Sequence, residues 1–403
     1  MKLLCLVSIL LASFNIAISQ ETYSGKVIDT EGQAVAFAHV FFNADQARGA
    51  ITNELGEFKI NVTEYNKVDS LVISILGYET LFVPYQDLID KTQSIVLSPS
   101  SIQLGEVIIL SDTYLRYILK EAIAAIPQNY PTEQHLTKAY YQEYTISDST
   151  YAEMIEADVA VVSDGYNKKE VKQKVYLNKL RRTEDNRDLP DRLRTDRNML
   201  LCALDRNTLF SRSFSKFGSG LNKDKSLEGF VRSVDFAKFL KVHSQQIQDG
   251  DTILTICISD PFLKVSNDTE SSISSFGLVS VNLTNKAIIR VVYGDYWSEE
   301  ADFEEVVYRK VNDLYYPSYM SSVRDFEYNK KTKKHYNSQS FFFYELVNGK
   351  DKIKKYDKGK KMKVEKGLRL IKKKTDTDFW ENYAFANSLS AATIIRSKFG
   401  LNR

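Results

Sequence analysis

Residues 22–109 are written in one grammar: short runs in which side chains alternate between two faces, each run stopped by a turn containing glycine. That pattern admits little besides antiparallel β-structure with a buried inner face. Val35, Phe37, His39 and Phe41 share one face of such a run, and Ala36, Ala38, Val40 and Phe42 the other. Asp29-Thr-Glu-Gly32 and the glycine before Glu57-Phe58 supply turns, because glycine reaches positive φ without steric cost. Further strands are expected at 57–62, at Leu81–Val83, at Ile95–Leu97 and at Val107–Leu110. Leu71, Ile73 and Ile75 interleave with Val72, Ser74 and Leu76, so that run is apolar on both faces and belongs inside a sheet.

Five stretches stand in a fixed order across this segment. They are Tyr23-Ser-Gly25-Lys-Val27-Ile-Asp29, the alternating run just described, Ala50-Ile-Thr52-Asn-Glu-Leu-Gly56-Glu-Phe58, Leu71-Val-Ile-Ser-Ile-Leu-Gly77-Tyr78-Glu79-Thr80 and Leu104-Gly-Glu106-Val-Ile-Ile109. Together they resemble the carboxypeptidase-like regulatory domain, a transthyretin-like β-sandwich. The resemblance implies an accessory fold without catalytic residues, hence an adhesive or scaffolding module and not a protease. Asn53 stands where the family's turn usually has an acid, and Leu104-Gly replaces its Leu-Asp; neither position touches the expected core.

The chain opens with Lys2 followed by an apolar run from Leu3 to Ile18 and small residues around Ala17-Ile18-Ser19, which reads as an export signal cleaved near Ser19. The run is about 16 residues, short of the ~20 that span a bilayer. Removing it leaves about 384 residues, enough for two or three domains. A periplasmic or outer-membrane-associated location follows as the expectation. Only Cys202 and Cys257 would remain in the exported chain, so a disulfide-built scaffold and a cysteine-only zinc site are excluded, while pairing of the two stays open.

Domain organisation is read as signal peptide 1–19, sandwich 20–110, linker helix 111–131 and a β-rich domain 132–403. The helix rests on Leu115, Ile118, Leu119, Ala122, Ile123 and Ile126 at three- and four-residue steps, with Ser111 or Asp112 as N-cap and Pro127 and Pro131 as its stop. Beyond it, Tyr140–Tyr144 and Tyr151–Val162 predict a hairpin across Ser147-Asp-Ser149, and 171–180 another strand. Residues 183–197 are densely charged and read as a loop, 196–210 as mostly helical, and 227–242 as strand or short helix. Strands then recur at 252–259, 276–283, 286–293, 303–311, 314–323, 339–347 and 362–371, with hairpin tips at Thr284-Asn285 and Asn312-Asp313. The fold class is therefore mainly β: a transthyretin-like sandwich, a linker helix, then a larger antiparallel, half-barrel-like α+β domain. This second part resembles, in architecture rather than in motifs, the half-barrel of periplasmic lipoprotein carriers, which implies a concave surface for acyl chains.

The residue types that chemistry would need are scarce. Of four histidines, His39, His135, His243 and His335, none begins a zinc-binding His-x-x-Glu or His-Glu-x-x-His, and His39 is expected to pack into the sandwich. Phe217-Gly-Ser219-Gly220 lacks nucleophile-elbow spacing, and phosphate-cradling glycine loops are missing. Glu153, Glu156 and Asp158 lie close together, which leaves a dispersed acidic hydrolase as the least favoured reading. No catalytic, metal or cofactor residue is assigned.

Charge is uneven. Residues 20–110 hold 12 acids and 5 bases, whereas 350–374 hold 13 bases and 3 acids. Lys354, Lys355, Lys360, Lys361, Lys363, Lys372, Lys373 and Lys374, interleaved with Met362, Val364, Leu368 and Leu370, suggest an amphipathic hairpin whose lysines meet an anionic surface. Export argues against nucleic acid. Tyr315, Tyr319, Phe341 and Phe343 are the aromatics expected to floor a ligand groove. The expectation is a non-enzymatic envelope protein without cofactor that binds an apolar or amphipathic ligand or the outer-membrane surface; its rival is an accessory partner of an outer-membrane receptor.

Overall fold

The computed structural model describes residues 21–89, 94–100, 110–147, 150–166, 173–182, 239–259, 274–297, 300–328, 333–347, 349–358 and 362–363. Expectations for the signal segment, for the strand at 107–109, for 183–238 and for the tail beyond 363 lie outside the described residues, as does Cys202; Cys257 has no disulfide partner among the described residues.

The sandwich has two layers. One holds β1 (Glu21–Asp29), antiparallel to β4 (Glu57–Val62) and parallel to β7 (Ile95–Leu97). The other runs in the order β3 (Asp45–Ile51), β2 (His39–Phe42), β5 (Ser70–Ser74), β6 (Leu81–Pro84), with each pair antiparallel. Val27, Ala38, Val40, Phe42, Phe58, Ile60, Leu71, Ile73 and Leu97 meet between them. The doubly apolar run is the interior strand β5, as its pattern requires. Gly56, at φ 75°, turns the chain into β4, and a Cβ there would sit 2.2 Å from the Val27 carbonyl oxygen, so the position is closed to any side chain.

Regular alternation fails at one place. Phe37 takes φ 64°, a left-handed backbone for a bulky residue. Thr52 holds the kink: its Oγ1 accepts from the Ala38 amide (2.8 Å) and donates to the Val35 carbonyl (2.7 Å). The kink lets Val35 join Ala38 in the core while Phe37 turns outward, away from Val35.

The linker helix spans Asp112–Ala124, its N-terminus capped by Ser111 Oγ accepting from the Tyr114 amide (3.3 Å). Pro127 does not end it. After Ala125 the proline sits in the first turn of a second, one-turn helix, Ile126–Asn129, where a missing N–H costs nothing.

Eleven antiparallel strands then form one large, curled half-barrel sheet. In sequence order they are β8 (His135–Ser147), β9 (Thr150–Ser163), β10 (Gln173–Arg182), β11 (Phe239–Gln248), β12 (Asp251–Ser259), β13 (Ser274–Asn282), β14 (Ile288–Trp297), β15 (Glu300–Val311), β16 (Leu314–Tyr328), β17 (Lys333–Val347) and β18 (Met362–Lys363). Their order in space is β11-β12-β13-β14-β15-β16-β17-β8-β9-β10-β18. Both expected hairpin tips are present: Asn282 Oδ1 caps the turn at Thr284 and Asn285, and Asn312 takes φ 55°. The passage read as strand or short helix ends in β11, which runs six residues past Val242.

The amphipathic hairpin expected around Lys354 and Lys355 is instead helical over Lys350–Lys358. Ile353 and Tyr356, three residues apart, pack this helix on Leu136, Val162 and Tyr176, and the lysines between them face solvent. Local helical spacing outweighs the alternation that continues after it, of which only Met362–Lys363 is described as strand.

Candidate ligand site between the sandwich and the large sheet

Strand β12 presents two different faces. Leu254, Ile256 and Ile258 join Leu115, Ile118, Leu119 and Ala122 of the linker helix in one buried cluster. The intervening Ile253 and Thr255 instead line a cavity of about 780 Å³ whose opposite wall is the outer face of the sandwich. That volume falls within the ~300–1,000 Å³ usual for small-molecule sites.

The sandwich is held over this cavity at both ends of its β3-β2-β5-β6 sheet. At the β6 end, Asp249, in the β11–β12 turn, accepts from the Thr80 hydroxyl (2.7 Å) and amide (3.2 Å), and Gln248 Nε2 donates to the Ile75 carbonyl (3.3 Å). At the β3 end, Arg309 Nη1 donates to the Gln46 carbonyl (2.7 Å), and the Asn312 amide donates to the Gln46 side chain (3.1 Å). Three strand spacings separate the two clamps, roughly 14 Å. Beside them Phe37 stacks on Tyr319 at 4.7 Å, which is the contact its strained backbone serves.

His39 lies on this outer face with Phe37 and Phe41 rather than inside the sandwich, because Ala38, Val40 and Phe42 take the core side of β2. It is buried (8% exposed), and its Nε2 has no hydrogen-bond partner among the described residues. Burial, reinforced by the charge of Arg309, holds its pKa well below the ordinary imidazole value, so it is neutral at pH 7. Arg309 sits over the Phe41 ring at 5.8 Å. Burial lowers its pKa to about 10 against the opposing pull of Asp45, which leaves it cationic. The acids lining the cavity are engaged elsewhere: Glu305 by Arg290 (2.6 Å), Asp251 by Asn282 (2.8 Å) and Asp249 by Thr80.

The four aromatics singled out in the sequence do not share one groove. Tyr315 and Tyr319 line the cavity, while Phe341 and Phe343 are buried in another cluster with Tyr141, Ile155 and Val159. Tyr315 also packs at 5.9 Å on Tyr130, whose hydroxyl donates to the Ile288 carbonyl. Of the eight lysines, Lys354 and Lys355 are exposed on the Lys350–Lys358 helix, Lys354 lying 3.9 Å from Asp351. Lys363 belongs to β18; the other five lie outside the described residues. Glu156 is buried and held by Arg181 and the Tyr140 hydroxyl, and Asp158 accepts from Tyr344 (2.7 Å).

Sequence reasoning placed His39 in the core and passed over Arg309. The available signal was the pair of phenylalanines flanking His39 at two-residue steps, opposite a complete set of small and apolar core residues.

Residues 23–109 match the model of the CarboxypepD_reg-like domain family. No curated protein matches the chain. Among solved structures, it is similar to an outer membrane lipoprotein-sorting protein domain from Vibrio parahaemolyticus (8% identity, 61% of this chain and 98% of that one, TM-score 0.25). It is also similar to a DUF1329 family protein from Desulfovibrio piger (12% identity, 57% and 92%, TM-score 0.21). A third is lipoprotein LppX of Mycobacterium tuberculosis (12% identity, 59% and 99%, TM-score 0.19). At these scores the role of the chain has to be read from its own residues.

Proposed function

We propose that this chain, whose residues 23–109 form a carboxypeptidase-regulatory-like sandwich, is an exported, non-enzymatic binding protein of the cell envelope. Its ligand is amphipathic and occupies the cavity between the sandwich and the large sheet. The observation that carries this reading is the cavity's lining: Val72, Ile75, Phe82, Ile253, Ile289 and Val307 give apolar wall, with charged and hydrogen-bonding groups among them. A sandwich evolved only as a rigid spacer would gain more by packing flat on the sheet, since about 25 cal/mol is recovered per Å² of apolar surface removed from water. The buried acid Glu156 already commits its oxygens to Arg181 and Tyr140.

The test is saturable binding of a fluorescent acyl probe to the exported chain, compared with the Gln246→Trp variant, whose indole would fill the cavity from β11. Binding that is weakened at least tenfold by the indole supports the reading. Binding that ignores it, or no binding at all, sinks it.

One observation favours a second reading. Among the described residues β6 pairs only with β5, and Phe82 on it is 57% exposed; such an edge can accept a strand from a protein partner. Capture of an outer-membrane protein that is lost when Val83 is replaced by proline would favour that role.

A further inference from the structure

Three polar clusters stand apart from ordinary core. Glu156 with Arg181 and Tyr140 is self-satisfied. Asn337 and Gln339 each bury an atom without a partner, but Glu143 and Thr145 beside them have further interactions of their own. His39 and Arg309 differ, because both open on one cavity and both have hydrogen-bonding capacity to spare.

Leaving a polar atom buried and unpaired costs about 1–3 kcal/mol, so its presence at a cavity wall asks for a partner inside the cavity. A guanidinium offers five N–H donors, and Arg309 commits Nη1 to the Gln46 carbonyl. No carboxylate lies within ion-pair distance of it among the described residues: Asp45, whose charge acts on it, pairs with Arg48 at 3.2 Å. Neutral His39 adds one ring nitrogen, which in the tautomer protonated there is a donor without charge. A cation and a neutral donor lining one cavity, the cation over the Phe41 ring, offer the groups a small oxyanion needs. From that end the wall continues along Phe37, Val72 and Ile253 toward the Thr80–Asp249 clamp; the other basic residues of the lining are His243 on β11, Lys310, and Arg290, which is paired with Glu305.

We propose, resting on the reading of this cavity as a ligand site, that it selects an anionic amphiphile. A carboxylate or phosphate-monoester head lies between Arg309 and His39, and the apolar chain runs toward the Thr80–Asp249 clamp. Head-group charge thus decides affinity, and the apolar wall sets only orientation and chain length.

The experiment titrates the exported chain with laurate, lauryl phosphate and uncharged monolaurin by calorimetry. At least one anion is expected to bind tenfold or more tightly than monolaurin, and which of the two does so identifies the head group. Arg309→Gln should bring the ratio of anion to monolaurin affinity close to one, whereas Arg309→Lys should retain most of the preference. His39→Leu should weaken the anion three- to tenfold, and His39→Gln, which keeps a donor, should restore it. Circular dichroism and the monolaurin isotherm report whether each variant is folded. Equal binding of all three amphiphiles, or unchanged anion affinity in Arg309→Gln, overturns the charge selection and leaves the cavity reading standing. Failure of all three to bind overturns both.

Discussion

The two elements that precede the large sheet meet it in opposite ways. The linker helix lays Leu115, Ile118, Leu119 and Ala122 onto Leu254, Ile256 and Ile258, and every one of those side chains is at most 2% exposed. The sandwich meets the sheet through hydrogen bonds at its two margins, a β3–β17 pairing at Arg48 and Glu345, and a small apolar cluster of Phe37 and Ile51 with Tyr140, Tyr319 and Phe342, with a cavity beside them. Period-two alternation makes this division possible, since one strand can be core on one side and binding surface on the other. The dry interface is sealed by apolar packing, whereas the hollow one leaves His39 Nε2 without a hydrogen-bond partner among the described residues.

The sharpest way to break that comparison is to truncate one residue on each side. Leu119→Ala removes a fully buried side chain from the helix interface and should cost about 2–5 kcal/mol, because neighbouring groups relax only partly around the void. Phe82→Ala takes a larger side chain from the cavity wall, yet Phe82 is already 57% exposed, so stability should move by no more than about 0.5 kcal/mol. Urea midpoints measured side by side decide it. Comparable losses would mean that the sandwich contact is as cohesive as the helix contact.

Titration sharpens the same contrast. His135 is 9% exposed between the rings of Tyr166 and Tyr316, and burial brings its pKa down to about 4 although the Glu133 carbonyl lies 3.2 Å from Nδ1. Between pH 6.5 and 4 the unfolded chain therefore binds a proton that the folded chain refuses. Stability should fall as pH drops through that window, by at most about 3 kcal/mol, and level off from this group below it. His135→Phe should flatten the urea midpoint between pH 7 and 4.5. An unchanged slope would place the acid sensitivity elsewhere, with His39 the next candidate.

Much of this architecture could be read from the chain, and the reasons are local. Alternation and glycine punctuation located β4, β5, β6 and β7, the hairpin of β8 with β9, and both later turns, because each signal lies within a few residues of what it specifies. The linker helix was legible from its apolar stripe for the same reason. The cavity was not, because it depends on which face of β2 looks outward, and that is settled by the Phe37 kink and by a sheet more than 200 residues later. The amphipathic hairpin was inferred from the alternation of Met362, Val364, Leu368 and Leu370, whereas Lys354 and Lys355 just before it lie on a helix set by the step from Ile353 to Tyr356. Tyr315 and Tyr319 were rightly marked as aromatic strand residues, but although β16 and β17 are neighbours, the register sets Tyr319 opposite Phe342 and Phe341 opposite Met320, so Tyr319 and Phe341 fall on opposite faces, which composition cannot report.

Phe37 gives a smaller effect with an unusual sign. Glycine normally costs stability relative to alanine, but at φ 64° alanine keeps a left-handed penalty of roughly 1–2 kcal/mol that glycine escapes. Both substitutions lose the stack on Tyr319. Phe37→Gly should therefore be the more stable of the two by about 1 kcal/mol, as read from paired denaturation curves. The reverse order would mean that the kink is not held in solution and that the outward turn of Phe37 is imposed by the docked sheet alone.

The smallest effect tests whether an anionic surface is met by the cavity or by the outside of the large sheet. Lys354 and Lys355 are exposed on a helix anchored by Ile353, so replacing both with alanine removes charge without touching the packed side. The pair of Lys354 with Asp351 spans 3.9 Å between groups that are 68% and 97% exposed, a contact worth under about 0.5 kcal/mol. Stability and laurate affinity should both stay within error of the parent chain. Sedimentation with phosphatidylglycerol vesicles should fall if these lysines face a membrane, more steeply at low salt than at 0.5 M, because exposed charges are screened within about 10 Å at ordinary ionic strength. Vesicle binding that survives the double substitution but disappears in Arg309→Gln would assign contact with anionic lipid to the interdomain cavity.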